Sequence, residues 1–207
     1  MPDALSFTPE CDGALYLKKV DPLLGALIDT IGRIDLPLRK QYFHSLVRSI
    51  VGQQISGAAA NAIMKRLESD QGSLCAHDIV DRDLTQAGLS RRKAEYVRTL
   101  ADNVLSARLD LDSLDRLPDE EVIAALSTQK GIGRWTAEMF LIFSLGRPDV
   151  FAVLDLGLRR GVRLLYDLEQ MPTPQQVQEM SSNWKPYRTA ASLYLWQLSR
   201  LKAVPGS

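Results

Sequence analysis

One stretch of the chain carries the residue types and spacing from which a chemical function can be argued. It reads LSTQKGIGRWTAEMFLIFSLGRPDVFAVLD and runs from Leu126 to Asp155. Gly131 and Gly133 flank Ile132 between two segments of helical apolar periodicity. Glycines permit positive φ and leave no Cβ in the way, so backbone N–H groups can approach a phosphate closely. We therefore expect an anion site at the glycines and chemistry at the Asp155 carboxylate.

The glycines must lie in a tight turn between two helices, which together span about 119–145. The second helix would begin at the turn and add its free N–H groups and its dipole to an anion site. Lys130, Arg134 and Thr136 could assist in holding the anion. An ordinary turn between packed helices would also use glycine, so the glycines alone leave both interpretations open.

Composition excludes several classes of protein. The 207 residues are 45% hydrophobic and 24% charged, which is typical of a globular domain. No apolar run reaches membrane-spanning length, and the N-terminus lacks a signal-peptide pattern, so we expect a cytoplasmic protein. Two cysteines form neither a disulfide framework nor a metal-binding motif.

The net charge of zero disfavours a nucleic-acid binder, but the basic residues are clustered. Balanced totals can hide one basic face, although each cluster could also be an ordinary solvated helix face. One cluster follows Ser90, a predicted helix N-cap. The two clusters are Arg91, Arg92, Lys93 and Arg98, and Arg159, Arg160 and Arg163.

The hairpin residues, followed by Asp149-Val150-Phe151 and then Asp155, resemble the helix-hairpin-helix DNA glycosylase superfamily. Within it, the sequence is similar to the 3-methyladenine DNA glycosylase II group, from about Phe43 to Trp196. Members carry the hairpin, a Gly/Pro-rich loop and an essential aspartate in this order. The resemblance implies a monofunctional glycosylase that flips out and hydrolyses N-alkylated purines in base excision repair, with Asp155 as the catalytic residue.

We expect an all-α fold of two helical lobes, because no strand alternation is evident. Residues 1–43 would pack with the C-terminal lobe, residues 44–146 would form the central lobe, and residues 147–207 would carry the Asp155 loop and the C-terminal lobe. The active site is expected in the cleft between the lobes. One helix is predicted to begin at Asp21-Pro22 and to end at Gly32. Another is predicted to begin at the capping box Thr173-Pro174-Gln175-Gln176.

The resemblance also implies which residues contact DNA. The segment Gly52-Gln53-Gln54-Ile55-Ser56 would lie at the minor groove, where Gln54 fills the gap left by the flipped nucleotide. Gln53 and Ser56 would lie near the substrate. The remaining predicted DNA contacts are Arg91, Lys93, Lys130, Gly131, Gly133, Arg134 and Thr136.

Excising a base breaks a C1′–N bond through an oxocarbenium-like transition state, which a carboxylate stabilises electrostatically. One acid is enough when the leaving base is already cationic, as an N-alkylated purine is. Asp155 is also a predicted helix N-cap, and the two roles can coexist. Trp135 and Trp196 match pocket positions of the family and would stack on the cationic base. Met139 stands where relatives use an aromatic residue.

Bifunctional relatives hold a lysine where this chain has Trp135, so we expect no Schiff base and no strand cleavage. Two cysteines cannot form the iron–sulfur loop of the endonuclease III group. No cofactor should be required, although the resemblance implies a monovalent cation, Na⁺ or K⁺, at backbone carbonyls of Ser127, Gln129 and Ile132.

The expected partner is double-stranded DNA with an alkylated base, bound by a monomer that is nucleoid-associated when on DNA and makes no membrane contact. One alternative is a glycosylase for oxidised, deaminated or mismatched bases, which would need a second acid or the hairpin lysine. The other is a non-catalytic helix-hairpin-helix DNA-binding module, for which Asp155 would be dispensable.

Overall fold

The computed structural model describes residues 3–68 and 72–201 and is predominantly helical. The elements are β1 (Ala4–Phe7), α1 (Asp12–Val20), α2 (Pro22–Ile31), β2 (Ile34–Pro37), α3 (Tyr42–Gly52), α4 (Gly57–Leu67), α5 (Arg91–Leu105), α6 (Asp119–Ser127), α7 (Arg134–Phe140), α8 (Leu156–Leu165), α9 (Pro174–Ser181) and α10 (Arg188–Leu201). Short 3₁₀ turns cover Ala76–Ile79, Leu111–Arg116 and Ser182–Trp184, and a π-helical turn, Leu141–Leu145, continues α7.

The chain divides into two compact units. The first unit contains the residues up to Leu38 and those from Gly146 onward. It holds β1, β2, α1, α2 and α8 to α10. The second unit spans Arg39–Leu145 and holds α3 to α7.

The first unit contains a small antiparallel sheet that the sequence analysis did not predict. β1 and β2 pair with Ala4 opposite Pro37 and Phe7 opposite Ile34. The expectation of no strands was therefore wrong at these two places. Each strand has only four residues, too few for a clear period of two, and the pairing joins segments far apart in sequence. Elsewhere in the described residues the fold is helical, as predicted.

Helices α8 and α10 form the centre of the first unit. A Cβ placed on Gly161 of α8 would lie 2.5 Å from the carbonyl oxygen of Leu195 in α10, so the backbones approach closely at this point. Tyr194 and Leu195 are fully buried. Because α10 is covered on most sides, its apolar residues do not follow a single stripe.

Asp21 forms hydrogen bonds with segments of the first unit that are distant in sequence. It is only 8% exposed, and its Oδ1 accepts a hydrogen bond from the Leu24 N–H (3.0 Å), which confirms the predicted start of α2. Its Oδ2 accepts from Trp184 Nε1 (2.9 Å) and from the Tyr166 hydroxyl. Burial, reinforced by this hydrogen bond, raises the pKa of Tyr166 well above its ordinary value.

The second unit is built around α3, whose apolar face carries Leu46, Val47, Ile50 and Val51. This helix packs against α4, α5 and α7. Ser90 caps α5 and the Thr173–Gln176 capping box opens α9 in the first unit, both as predicted. Among the described residues, none of the helices is long and apolar enough to cross a membrane.

Asp21→Asn should destabilise the protein, because one amide oxygen cannot replace a carboxylate that accepts from three groups. We expect a loss of about 2 kcal/mol in the free energy of unfolding, measured by urea denaturation. Asp29→Asn is the control, since Asp29 is exposed and pairs with Lys18 at the surface, where ion pairs contribute little. Equal losses for the two variants would contradict the role of Asp21.

Candidate functional site

The turn between α6 and α7 has the predicted glycine geometry. Gly131 has φ +82°, and a Cβ there would lie 2.3 Å from Cδ2 of Tyr96. Only glycine fits both the left-handed conformation and this close approach. Gly133 has φ −96°, forms the N-cap of α7 and has no heavy atom within 4 Å of its would-be Cβ. The backbone at the start of α7 is therefore open to a ligand.

The basic residues of the hairpin are held by acids. Lys130 Nζ lies 2.8 Å from Glu95 Oε1, and both side chains are 60% exposed. The Arg134 guanidinium binds both carboxylate oxygens of Glu120, at 2.7 and 3.1 Å, and its Nε binds Glu138 at 3.1 Å. The hydrogen bond from Arg134 lowers the pKa of the Glu120 carboxyl. The pairs of Lys130 with Glu95 and of Arg134 with Glu120 are exposed and therefore weak, so a phosphate can replace these two acids, whereas Glu138 is buried.

The side chain of Thr136 is not accessible to DNA. Its side chain lies in the interior and the residue is 6% exposed, because it sits on the core-facing side of α7 beside the buried Ala137. Its backbone N–H lies in the first turn of α7, where N–H groups have no partner within the helix, so a DNA contact of Thr136 through the backbone stays a prediction. Arg91 is exposed in the first turn of α5, in a position open to solvent.

Lys93 lies close to the loop that joins α3 and α4. Its Nζ donates to the backbone carbonyls of Val51 (2.8 Å) and Gln53 (2.6 Å). Burial lowers the pKa of the Lys93 ammonium, and the neighbouring charge of Arg92 adds to this effect. These carbonyls are intramolecular partners that the sequence analysis missed, since it predicted a DNA-backbone contact for Lys93.

The α3–α4 loop presents the residues predicted to enter the minor groove. Gln53 donates from Nε2 to the carbonyl of Gly131 at 2.7 Å, so the loop and the hairpin are joined. Gln54 is exposed and has φ +57°, which is unusual for a residue other than glycine. Ser56 is exposed and caps α4 by accepting from the Ala59 N–H at 3.2 Å.

In the first unit, Asp155 is held at the N-terminus of α8. Its Oδ1 accepts from the Leu158 N–H at 2.8 Å and from Trp196 Nε1 at 2.9 Å. The predicted N-cap is therefore confirmed. Asp155 is half-buried between Leu154 and Leu156, which are 56% and 68% exposed. A carboxylate oriented by two donors and bordered by exposed apolar side chains suits a reacting centre.

Gly157 lies directly beside the hydrogen bond between Trp196 and Asp155. A Cβ at Gly157 would lie 3.0 Å from Asp155 Oδ1 and 3.1 Å from Cδ1 of Trp196. Sequence reasoning predicted Trp196 as a pocket wall but missed its contact with the carboxylate. The pair is 41 residues apart, and no local pattern signals it.

Trp135 and Met139 are one turn apart on α7, and side chains four residues apart share a helix face. Trp135 is 43% exposed, which leaves much of the indole accessible to a planar ligand. Met139 is half-buried. This accessibility is compatible with the predicted pocket role, which remains a prediction.

The carbonyls predicted to hold a monovalent cation belong to Ser127, Gln129 and Ile132, at the end of α6 and in the following turn. The Gln129 carbonyl accepts from the Ile132 N–H at 3.0 Å, and a carbonyl oxygen has a second lone pair for a cation. The donor type therefore fits. Within residues 3–68 and 72–201, no three His, Cys, Asp or Glu side chains are grouped to hold a metal ion.

Residues 47–186 match the family described as HhH-GPD superfamily base excision DNA repair protein. The chain therefore belongs to this superfamily. It is 39% identical over 170 residues to DNA-3-methyladenine glycosylase 1 of Schizosaccharomyces pombe, covering 79% of this chain and 75% of the relative. It is 28% identical to DNA-3-methyladenine glycosylase 2 of Escherichia coli, over 86% of this chain and 64% of that protein.

Solved structures agree with this membership. The crystal structure of DNA-3-methyladenine glycosidase from Bacillus halodurans superposes with a TM-score of 0.88 at 38% identity, covering 96% of this chain and 94% of that one. The S. pombe 3-methyladenine DNA glycosylase in complex with abasic DNA superposes with a TM-score of 0.84 at 34% identity, covering 95% of this chain and 100% of that one.

Gly131→Ala should destabilise the second unit, whereas Gly133→Ala should not. We expect a loss of roughly 2–4 kcal/mol at Gly131, because a Cβ would overlap the Tyr96 ring and strain the left-handed backbone. At Gly133 the change should be about 1 kcal/mol or less, because the space is open and the backbone extended. Thermal or urea unfolding measures both, and similar losses would show that the hairpin geometry is wrong.

Proposed function

We propose that this chain is a monofunctional DNA glycosylase that hydrolyses the C1′–N bond of N-alkylated purines of the 3-methyladenine type. The observation that carries the proposal is the Asp155 carboxylate, fixed through one oxygen by Leu158 and Trp196. It stands in a chain of the HhH-GPD superfamily whose relatives are named DNA-3-methyladenine glycosylases.

The second unit binds the DNA. The open N-terminus of α7 behind Gly133 accepts a backbone phosphate, and Lys130 and Arg134 exchange their acidic partners for phosphate oxygens. Arg91, exposed at the start of α5, adds a further phosphate contact. Gln54 enters the minor groove and fills the place of the flipped nucleotide, which lowers the free-energy cost of extruding the base.

Asp155 supports bond cleavage electrostatically. As the C1′–N bond breaks, positive charge develops on the sugar, and a nearby carboxylate already held in place stabilises that charge. The same carboxylate orients or deprotonates the attacking water. A base that is cationic through alkylation leaves as a neutral molecule, so a second acid is not required to protonate it.

We expect the DNA strand to remain intact, because the hairpin helix has no lysine at the position that forms a Schiff base in bifunctional relatives. Trp135 stands at the position where bifunctional relatives hold lysine. In this chain Lys130 pairs with Glu95, and Lys93 donates to carbonyls of the α3–α4 loop. We infer that the enzyme releases the base and leaves the abasic strand intact. It would act as a monomer on duplex DNA in the cytoplasm or nucleoid, with a hairpin cation as an optional support.

Asp155→Asn should abolish most base release while preserving the fold. Asparagine is a good N-cap and can still accept from Leu158 and Trp196, but it lacks the charge. We expect the single-turnover rate on duplex DNA containing 3-methyladenine or 7-methylguanine to fall by roughly 100-fold or more. Abasic sites are counted with and without alkaline treatment.

The same assay separates the proposed function from its alternatives. Strand breaks that need alkali support a monofunctional enzyme, whereas breaks without alkali would contradict the argument from Trp135. Tight DNA binding without base release by the wild-type protein would favour a non-catalytic binding module. Faster release of oxidised or mismatched bases than of alkylated ones would place the enzyme in the other glycosylase class.

Trp196→Phe and Trp135→Leu should differ in which step they slow. Phenylalanine keeps an aromatic ring but removes the N–H that binds Asp155, so the single-turnover rate for 7-methylguanine at saturating enzyme should fall by about tenfold. Loss of the Trp135 indole removes cation–π stabilisation of the cationic base, so the enzyme concentration that gives half-maximal rate should rise by about 3- to 30-fold. A rise in that concentration for Trp196→Phe, with an unchanged rate at saturation, would show that Trp196 acts by stacking instead.

A further inference from the structure

Helix α5 contacts both DNA-facing segments of the second unit from one side. Lys93 and Tyr96 are three residues apart and therefore share a face of the helix. Lys93 binds the carbonyls of Val51 and Gln53, and the Tyr96 ring lies directly beneath Gly131. One face of one helix thus sets the position of both the α3–α4 loop and the hairpin.

The Lys93 ammonium occupies a site built for a cation. The C-terminus of α3 presents carbonyls that have no partner within the helix, and it is the negative end of the helix dipole. Lysine near such a terminus both donates hydrogen bonds and compensates the dipole. Donation to two carbonyls, at 2.8 and 2.6 Å, fixes the backbone immediately before Gln54.

The Gln53 side chain extends this connection to the hairpin. Its backbone carbonyl accepts from Lys93, while its Nε2 donates to the carbonyl of Gly131 at 2.7 Å. Gly131 in turn rests against Tyr96 of the same helix as Lys93. The contacts form a closed ring: α5, the α3–α4 loop, the hairpin and α5 again.

Gln54 needs such support. Its backbone is in the left-handed region, which is unfavourable for a residue with a Cβ, and it is exposed at the tip of the loop. Base stacking opposes the insertion of a side chain into the duplex, and a flexible loop would move away from the DNA instead of inserting Gln54. The hydrogen bonds from Lys93 to the carbonyls of Val51 and Gln53 oppose this movement of the loop.

We propose that Lys93 is a positioning residue for Gln54: it locks the α3–α4 loop against α5 so that Gln54 can enter the duplex, and it is not a ligand of the DNA phosphates. The inference rests on the proposed function, because it takes Gln54 as the residue that fills the vacated space. It assigns to Lys93 a part in base flipping that a phosphate contact would not have.

The experiment uses a duplex in which 2-aminopurine lies next to 2′-fluoro-7-methylguanine, whose 2′-fluorine slows cleavage of the C1′–N bond. The 2-aminopurine fluorescence rises when its neighbour leaves the stack. The proteins are wild type, Gln54→Ala, Lys93→Met and the double variant. Arg91→Met is the matched control, because Arg91 is an exposed basic residue on the same first turn of α5. Fluorescence is read at saturating protein, and affinity is measured over a range of salt concentrations.

We expect Lys93→Met to bind with an unchanged salt slope but to give low fluorescence at saturation, similar to Gln54→Ala. The double variant should be no worse than either single one, because both remove the same insertion step. Arg91→Met should show the opposite pattern, with full fluorescence at saturation and a salt slope reduced by about one. The circular dichroism spectrum of each variant should match that of the wild type.

Full fluorescence for Lys93→Met would overturn the proposal. If its salt slope also fell by one, Lys93 would be a phosphate ligand, and if its affinity did not change, Lys93 would serve only the stability of α3. Should Lys93→Met fail to fold, Gln53→Met removes the donor to Gly131 and leaves the Lys93 hydrogen bonds intact, and it should lower the fluorescence in the same way. The readout needs no base release, so failure of the proposed reaction would appear separately as wild-type protein that opens the stack without excising a base.

Discussion

The close approach of α8 and α10 is the constraint on which the candidate reacting centre depends. Gly157 and Gly161 lie one turn apart on α8; a Cβ at Gly161 would overlap the Leu195 carbonyl of α10, and a Cβ at Gly157 would be in tight contact with Trp196. Because the helices can approach here, Trp196 reaches the first turn of α8 and donates to Asp155. A larger residue at Gly157 would press on both the carboxylate and the indole. The packing of two helices therefore decides where the carboxylate lies.

The Oδ1 atom of Asp155 accepts both the hydrogen bond that caps α8 and the hydrogen bond from Trp196. Oδ1 accepts the N–H that every helix leaves unpaired at its start, and it also accepts the indole N–H. Both donors have fixed positions before any substrate binds, so little reorganisation is needed when charge develops on a sugar. The contacts that stabilise the first turn of α8 are in this way the same contacts that orient the proposed catalytic group.

The basic side chains of the hairpin form ion pairs with acids of the same unit. Lys130 pairs with the exposed Glu95, and Arg134 pairs with the exposed Glu120 and the buried Glu138. The whole chain carries 25 basic and 25 acidic residues. Weak surface pairs can be exchanged for phosphates at small expense, whereas Lys93, bound to two carbonyls, has partners that a phosphate replaces less readily. A net charge of zero is thus compatible with DNA binding, and that binding would depend strongly on salt.

What the sequence determined by itself was local. The helix caps at Asp21, Ser90, Asp155 and Thr173 were predictable because each involves a side chain and a backbone N–H a few residues away. The hairpin glycines were predictable for the same reason, and the helical periodicity indicated most of the helices. The residues of the candidate site could thus be named, although their roles remain predictions.

Only the tertiary structure decided the contacts between segments distant in sequence. The pairing of β1 with β2, the donation from Trp196 to Asp155, and the hydrogen bonds from Lys93 to the α3–α4 loop each join residues 27 or more positions apart, the smallest separation being that of Phe7 and Ile34. Burial of Thr136 likewise depends on which face of α7 meets the core. Periodicity and capping rules act over one or two helical turns, so they cannot specify which side chain meets which partner across the fold.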